Sequence, residues 1–389
     1  YIEQQNTFQE MRDARLILIL TTLAIDIIGS LKEIKAQDSL VLGELVRTEF
    51  NIPQSAAFDL LGVSPAQILT PANLKEFKVD WSFSNWRSTP NLAIQVQPIW
   101  EIFYNRTNLK KYRSATPIMR TLSTLDLSAA TILDFTGNRK LSYAGKINLY
   151  REKDPLVDKN LIKDIEQEYK INTLELRNSV NKISKIKNKI KNQDKIDSIY
   201  QQLDSLNSLL QEASQLQKEK IRLAAAAYQK KNWNSTNIEC SVGQALSYRE
   251  NSTDSIDLIS KTISAWIAGC IGIGRKTLLT SMIRFTTAKT LESKNSNIFS
   301  GGINFRYGSH RFNYFTEFFV SDLNSSETTQ LTRNGINTLS RYNSSIGGEW
   351  KITRNVVLAY GIRLNFDPDF KLIRIVPSAG ISCLMGTFL

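Results

Sequence analysis

Apolar and polar residues alternate, segment after segment, from about Phe77 to Leu389, and this constrains the chain more than any other feature. In Ile298 to Tyr307, residues Phe299, Gly301, Ile303, Phe305 and Tyr307 share one face, and Ser300, Gly302, Asn304 and Arg306 share the other. Val356 to Phe366 repeats the pattern: Val356, Leu358, Tyr360, Ile362 and Leu364 oppose Val357, Ala359, Gly361, Arg363 and Asn365. A period of two is that of a strand, whose successive side chains point to opposite faces. An aromatic-rich apolar face backed by a charged one predicts a sheet with lipid outside and water inside, an all-β transmembrane barrel.

The bulk composition hides this pattern. Hydrophobic residues make up 42% of the 389, and the mean hydropathy of −0.24 would by itself describe a soluble protein. Half the residues of a barrel strand are polar, so averaging conceals the span. The 17 phenylalanines and 13 tyrosines suit girdles at two membrane interfaces. The net charge of +12 is spread over strands and loops rather than gathered in a nucleic-acid-binding motif, so no nucleic-acid partner is expected. No second apolar run approaches the ~18 residues of a membrane-spanning helix, which excludes a helical-bundle membrane protein.

About twelve strands are predicted, an even number as closure requires: 77–84, 91–104, 117–133, 139–150, 233–248, 259–274, 278–287, 298–307, 311–321, 340–352, 356–366 and 373–388. A soluble sandwich is the alternative, but strands of about 10–16 residues exceed its usual five or six. The connections at Gly274-Arg275-Lys276-Thr277, Gly308-Ser309-His310 and Thr353-Arg354 are tight. Arg249 to Leu258, Ala288 to Asn297 and Asp322 to Leu339 are long and polar. Short turns belong to the periplasmic side and long loops to the outside, which puts both termini in the periplasm. The last strand, with Gly380 and Phe388, resembles the segment that barrel-assembly machinery recognises.

The domain reading is then 1–36, upstream extension and signal peptide; 37–76, periplasmic or plug-like segment; 77–151, the first four strands; 152–231, a helical insertion; and 232–389, the remaining strands. Met11 to Arg15 is basic, Leu16 to Ile28 apolar apart from Asp26 and threonines, and Ala36 a candidate cleavage site. An uncleaved anchor or a soluble amphipathic segment are the other readings of that stretch. In Ser55 to Leu74, prolines 53, 65 and 71 forbid long regular structure, while Phe58, Leu60, Leu61 and Val63 need a partner. A plug in the barrel mouth or lumen supplies one; a binding strip for another protein is the alternative. The run Ala57 to Trp81, AFDLLGVSPAQILTPANLKEFKVDW, resembles the leading stretch of uncharacterised outer-membrane β-barrel proteins of the Bacteroidota. That resemblance implies a Gram-negative outer-membrane location and a porin-like barrel, and carries over no catalytic residues.

Between the fourth and fifth strands the periodicity changes. Ile196, Ile199, Leu203, Leu206, Leu210 and Ala213 step by threes and fours, the seam of a coiled coil, and Leu176, Val180, Ile183, Ile186 and Ile190 do much the same. Adjacent strands lie about 5 Å apart, so the insertion must return to where it began. Two antiparallel helices, 160–191 and 194–229, each roughly 50 Å long, satisfy this; a bent helical linker or a dimerising seam are alternatives. The strand count places this coiled-coil hairpin in the periplasm. Lys182, Lys185, Lys187, Lys189, Lys191 and Lys195 crowd its tip. They are either a solvated face or a contact to peptidoglycan carboxylates or an acidic periplasmic protein.

No enzyme chemistry is assigned. His310, the one histidine, falls in a tight turn, where a nucleophilic site has no support. Cys240 and Cys383 fall on the apolar strand face and Cys270 on the other, without metal-ligand spacing, so no catalytic, cofactor or metal residue is named. Strand parity turns Lys78, Asp80, Glu101, Arg120, Asp126, Lys140, Lys146, Glu239, Arg284, Arg306, Glu317, Arg341, Glu349, Lys351, Arg363 and Arg374 toward the lumen. These charges can pair across a mostly filled lumen; in the alternative, Arg284, Arg306, Arg341, Glu349, Lys351 and Arg363 are the candidate lining of a passage. Three functions remain: a barrel anchoring the hairpin for an envelope partner; a narrow anion-preferring channel or transporter of small solutes, since arginine and lysine rings select anions; and, remotest, an outer-membrane enzyme.

Overall fold

The computed structural model describes residues 51–84, 91–104, 108–134, 137–164, 208, 212, 215, 219–249, 252–290, 296–322 and 341–385, all within the unit Val41–Leu389. The expected signal peptide, most of the hairpin arms and all six tip lysines lie outside these residues.

Twelve strands form one closed ring. They are β1 (Phe77–Ser84), β2 (Asn91–Val96), β3 (Asp126–Leu133), β4 (Arg139–Arg151), β5 (Asn237–Tyr248) and β6 (Leu258–Ile273). The second half comprises β7 (Thr277–Thr290), β8 (Ser296–Gly308), β9 (Phe312–Asp322), β10 (Tyr342–Lys351), β11 (Val356–Phe366) and β12 (Leu372–Met385). Each pairs antiparallel with its sequence neighbours, and β1 closes on β12 from Phe77↔Met385 to Ser84↔Ser378. Closure pairs the backbone groups that an open edge would leave bare.

Burial alternates along the strands, and in the sense opposite to a soluble barrel. On β8, Ile303 is 56% exposed and faces out, while its neighbour Asn304 is fully buried and faces in. Leu92, Ile94, Val242, Ile267, Ile283, Phe299, Phe318 and Ile362 continue the apolar outer surface around the ring.

Because the strand number is even, β1 begins and β12 ends on one rim, called here the near rim. The tight turns 274–276, 309–311 and 352–355 lie on it. Gly274 takes φ +65° in the first of them, a left-handed conformation that favours glycine. The links between β5 and β6, β7 and β8, and β9 and β10 lie on the far rim.

Two expected strands are shorter than the alternation suggested. Instead of 91–104, β2 stops at Val96; instead of 117–133, β3 starts at Asp126. Between them, on the near rim, run three short helices: α2 (Pro98–Phe103), α3 (Leu109–Ser114) and α4 (Pro117–Leu122), α1 being Ala56–Leu60 in the segment before β1. Pro98 and Pro117 each start a helix, where a missing N–H costs nothing. The Asn108 and Thr116 side chains accept from Lys111 N and Met119 N. These caps, with the prolines, outweigh a strand-like apolar pattern. Glu101 and Arg120, expected on strands, sit instead on α2 and α4.

The insertion after β4 is helical at both roots, 159–164 and 219–232. If the outer face meets lipid, Ile303→Lys should cost about 2–4 kcal/mol in urea titrations of vesicle-embedded protein. Asp254→Lys on a far-rim loop should stay within about 0.5 kcal/mol of the parent.

Candidate functional site

Residues 51–76 fill the lumen. They start at the near rim, where Asn51 Nδ2 donates to the Trp233 carbonyl at 3.2 Å. They descend through α1, turn, and return to the near rim to enter β1. Ser55 caps α1 by accepting from Phe58 N at 3.4 Å, and Gly62, at φ +68°, ends it in a left-handed turn. Phe58 is completely buried against Val63, Ala93, Ala130 and Ile132. On another side, Ala56 and Ile68 pack with Trp266, Met282 and Phe319. At the near rim Ile52 and Leu74 close over Val357 and Leu384.

The wall grips this plug through its backbone. Lys78 Nζ donates to the Pro53 carbonyl at 2.6 Å and lies 3.1 Å from Asp80, whose other partner is Ser55 N at 2.7 Å. Ser128 Oγ accepts from Ala57 N, and Ser142 Oγ donates to Ala57 O at 2.8 Å. Arg363 reaches Gly62 O and Ser64 O at 3.1 and 2.7 Å, and Ser82 Oγ donates to Val63 O. Glu317 accepts from Gln67 N and Ile68 N at 2.7 and 3.1 Å and from Asn304 Nδ2. On the returning arm the Ala72 carbonyl accepts from Lys146 and Asn148. A buried backbone group left unpaired costs free energy, so each contact answers a need on both partners.

A plug carboxylate joins in: Asp59 forms an ion pair with Arg284, whose guanidinium also lies 4.8 Å from the Trp266 ring. Arg306 pairs with Glu349 and lies over Phe315. Lys146 joins Glu239 at 3.5 Å and Asp126 at 3.9 Å. The six candidate lining residues therefore do not form one ring. Arg284, Arg306, Arg363 and Glu349 point inward and are partnered. Arg341 stands at the far rim beside the Tyr342 ring, and Lys351 ends β10 at the near rim.

Sequence reasoning missed the serines 82, 128 and 142 as clamps, and Asp59 as an ion-pairing plug residue. Parity shows which residues face inward but carries no signal about what they meet there. The three cysteines are unpaired, and Cys270, on β6, donates to Ser235 O at 3.6 Å.

The insertion is braced to the near rim. Tyr112 Oη donates to Asp154 at 2.8 Å, Arg113 Nε to Leu156 O, and Trp233 Nε1 to Arg275 O, while Tyr228 Oη donates to Asp158 at 2.8 Å and ties the two roots to each other. Burial, together with the Asp154 carboxylate, pushes the Tyr112 hydroxyl well above its ordinary range. Burial would raise Asp154 too, but Arg151, Lys75 and the Tyr112 hydroxyl prevail and hold it low. His310, in the β8–β9 turn, is pushed down to about 4 by burial and then by Lys351, Arg311 and Lys230.

No protein-family model matches the chain, and no curated protein matches it. Several solved structures are similar at low identity. A KdgM porin in complex with disordered oligogalacturonate has a TM-score of 0.36 and 6% identity, over 80% of this chain and 99% of that one. The outer membrane protein Omp33 of Acinetobacter baumannii has a TM-score of 0.30 and 6% identity, over 80% and 98%. The translocator domain of the autotransporter NalP from Neisseria meningitidis has a TM-score of 0.30 and 6% identity, over 79% and 88%.

Arg284→Ala leaves Asp59 buried without its cation and should cost about 3–5 kcal/mol in urea, with faster protease cleavage within 51–76; Asp59→Asn combined with Arg284→Met should recover much of the loss. The sole histidine gives an isolated NMR titration. Its midpoint should fall near 4 rather than the ordinary 6.5. A native value below the unfolded one means that His310 supports the fold fully above about 6.5 and progressively less as pH falls toward 4.

Proposed function

We propose that this chain is an integral protein of a bacterial outer membrane, a narrow passage for small anionic solutes held shut by its own residues 51–76. One observation carries the proposal: the barrel wall has a charged, polar lining, and a separate segment supplies partners to much of it. Lys78, Asp80, Glu317 and Arg363, which bond to that segment, are all at least nine-tenths buried. Burying such groups is costly unless they are paired. A barrel serving only as an anchor gains nothing from that lining, and apolar side chains would fill it more cheaply. A lumen that is wetted whenever the plug withdraws needs it.

The preference for anions rests on one side of the lumen: on β7 to β11, displacement of the plug would uncover Arg284 and Arg363 and leave Arg306, against Glu317 and Glu349, whereas across the lumen Lys78 and Lys146 face Asp80, Asp126 and Glu239. An excess of guanidinium groups at a constriction favours anions. The apolar outer surface supports residence in lipid. The three tight turns support a periplasmic near rim, and with it periplasmic termini and insertion. The resemblance of Ala57–Trp81 to Bacteroidota barrels points to the same membrane.

In a second reading the barrel anchors the coiled-coil hairpin, whose lysine-rich tip meets peptidoglycan or an acidic envelope protein. What favours it is the bracing of the insertion's root by Tyr112, Arg113 and Trp233.

Planar-bilayer recordings separate the two. The parent protein should be nearly silent. Glu317→Ala and Asp59→Ala, which each remove a hold on the plug, should open frequent anion-preferring events. If both variants form folded barrels, shown by heat-modifiable gel migration, and stay as silent as the parent, the anchoring reading prevails.

A further inference from the structure

The barrel wall is uneven. β2 has six residues and β3 eight, whereas β4 has thirteen and β6 sixteen. A strand crossing a bilayer needs about 9–11 residues. β3 pairs only with Arg139 to Lys146 of β4, so Ile147 to Arg151 run on past it toward the near rim. α4 packs against β4, and just beyond α4 the Thr124 hydroxyl accepts from Asn148 N at 2.9 Å. The helices α2 to α4 thus occupy the place where the short strands β2 and β3 stop.

Their surfaces are turned as the barrel's are. Trp100, Tyr104 and Tyr112 are buried together, with ring centroids 5.4–5.6 Å apart. Outside stand Ile102 at 67% exposure, Phe103 at 43%, Ile118 at 72% and Leu122 at 38%. Leu149 and Tyr150 on the overrunning end of β4, and Leu127 near the start of β3, are likewise exposed and join this patch to the apolar belt. Contiguous exposed apolar surface of this kind marks a membrane or partner contact. Two features favour lipid over a protein: the patch continues the lipid-facing surface, and its charge has one sign. α3 and α4 carry Lys110, Lys111, Arg113 and Arg120 and no acidic residue, and the carboxylate of α2, Glu101, is buried. Lys111 lies over the Phe103 ring, 3.4 Å from its centroid, and donates to Phe103 O at 2.9 Å. An apolar face edged with cations is the composition of a helix lying in a bilayer interface.

We propose that α2 to α4 form a lipid-binding collar that completes the short side of the barrel. Ile102, Phe103, Ile118 and Leu122 enter the acyl region of the adjoining leaflet, and Lys110 and Lys111 meet the phosphates of its anionic lipids. The collar rests on the membrane reading of the barrel given above.

The test uses the full chain with Cys240, Cys270 and Cys383 replaced by alanine. A single environment-sensitive fluorophore is placed through Ile118→Cys or Ile102→Cys. Ile283→Cys on the belt and Asp254→Cys on a far-rim loop serve as references. Each is reconstituted in phosphatidylcholine vesicles, with and without phosphatidylglycerol, containing nitroxide-labelled lipids. Positions 118 and 102 should be quenched at least half as strongly as 283, and more strongly with phosphatidylglycerol. The double change Lys110→Ser, Lys111→Ser should abolish that increment and leave 283 unchanged. If 283 is quenched while 118 and 102 behave like 254, the collar is refuted, a protein partner becomes the occupant, and the barrel reading stands. If 283 itself is not quenched, the membrane reading fails and takes the collar with it. Quenching at 118 and 102 that ignores phosphatidylglycerol refutes the headgroup contact.

Discussion

An inward-facing charge in this barrel has nowhere to go but to a partner inside. The ring of strands satisfies its own backbone by closing, and its outer face needs only apolar side chains. The interior is different. Lys78, Asp80, Glu317 and Arg363 are turned inward by strand parity and shut away from solvent, so each must be matched by another group or lose several kcal/mol, in order of magnitude. The course of residues 51–76 follows from this demand. The plug offers backbone carbonyls to the lysines and arginines and backbone N–H groups to the carboxylates, which is why a segment broken by prolines serves better than a regular helix. A helix of useful length would have spent those carbonyls and N–H groups on itself.

How much of this could be read from the sequence depends on the kind of information each element needs. Strand number, closure and the facing of Arg306 or Ile303 rest on a period of two, which survives in any stretch long enough to show it. The even count and the common rim of the tight turns come from the same source. The plug could be anticipated from the apolar residues Phe58 to Val63 lying between prolines, because such residues need cover. Which wall residues would hold it could not: Ser128 meets Ala57 across 71 positions and Glu317 meets Gln67 across 250. Nothing local in either segment records the other.

The misreadings have a local cause. Ile99 to Tyr104 and Ile118 to Leu122 are apolar enough to be taken for strand, and periodicity in short apolar runs does not separate helix from strand. The deciding signals were Pro98, Asn108, Thr116 and Pro117, all at helix starts. They gain weight because the exposed side of these helices has no need to be polar where it adjoins the apolar belt.

The plug enters and leaves by the same rim, held at Asn51 on one arm and running into β1 on the other. It is a loop laid into the lumen and not a thread drawn through it. Nothing has to pass through the ring for the loop to go in or come out. Filling the lumen with residues 51–76 therefore requires no strand pair to open.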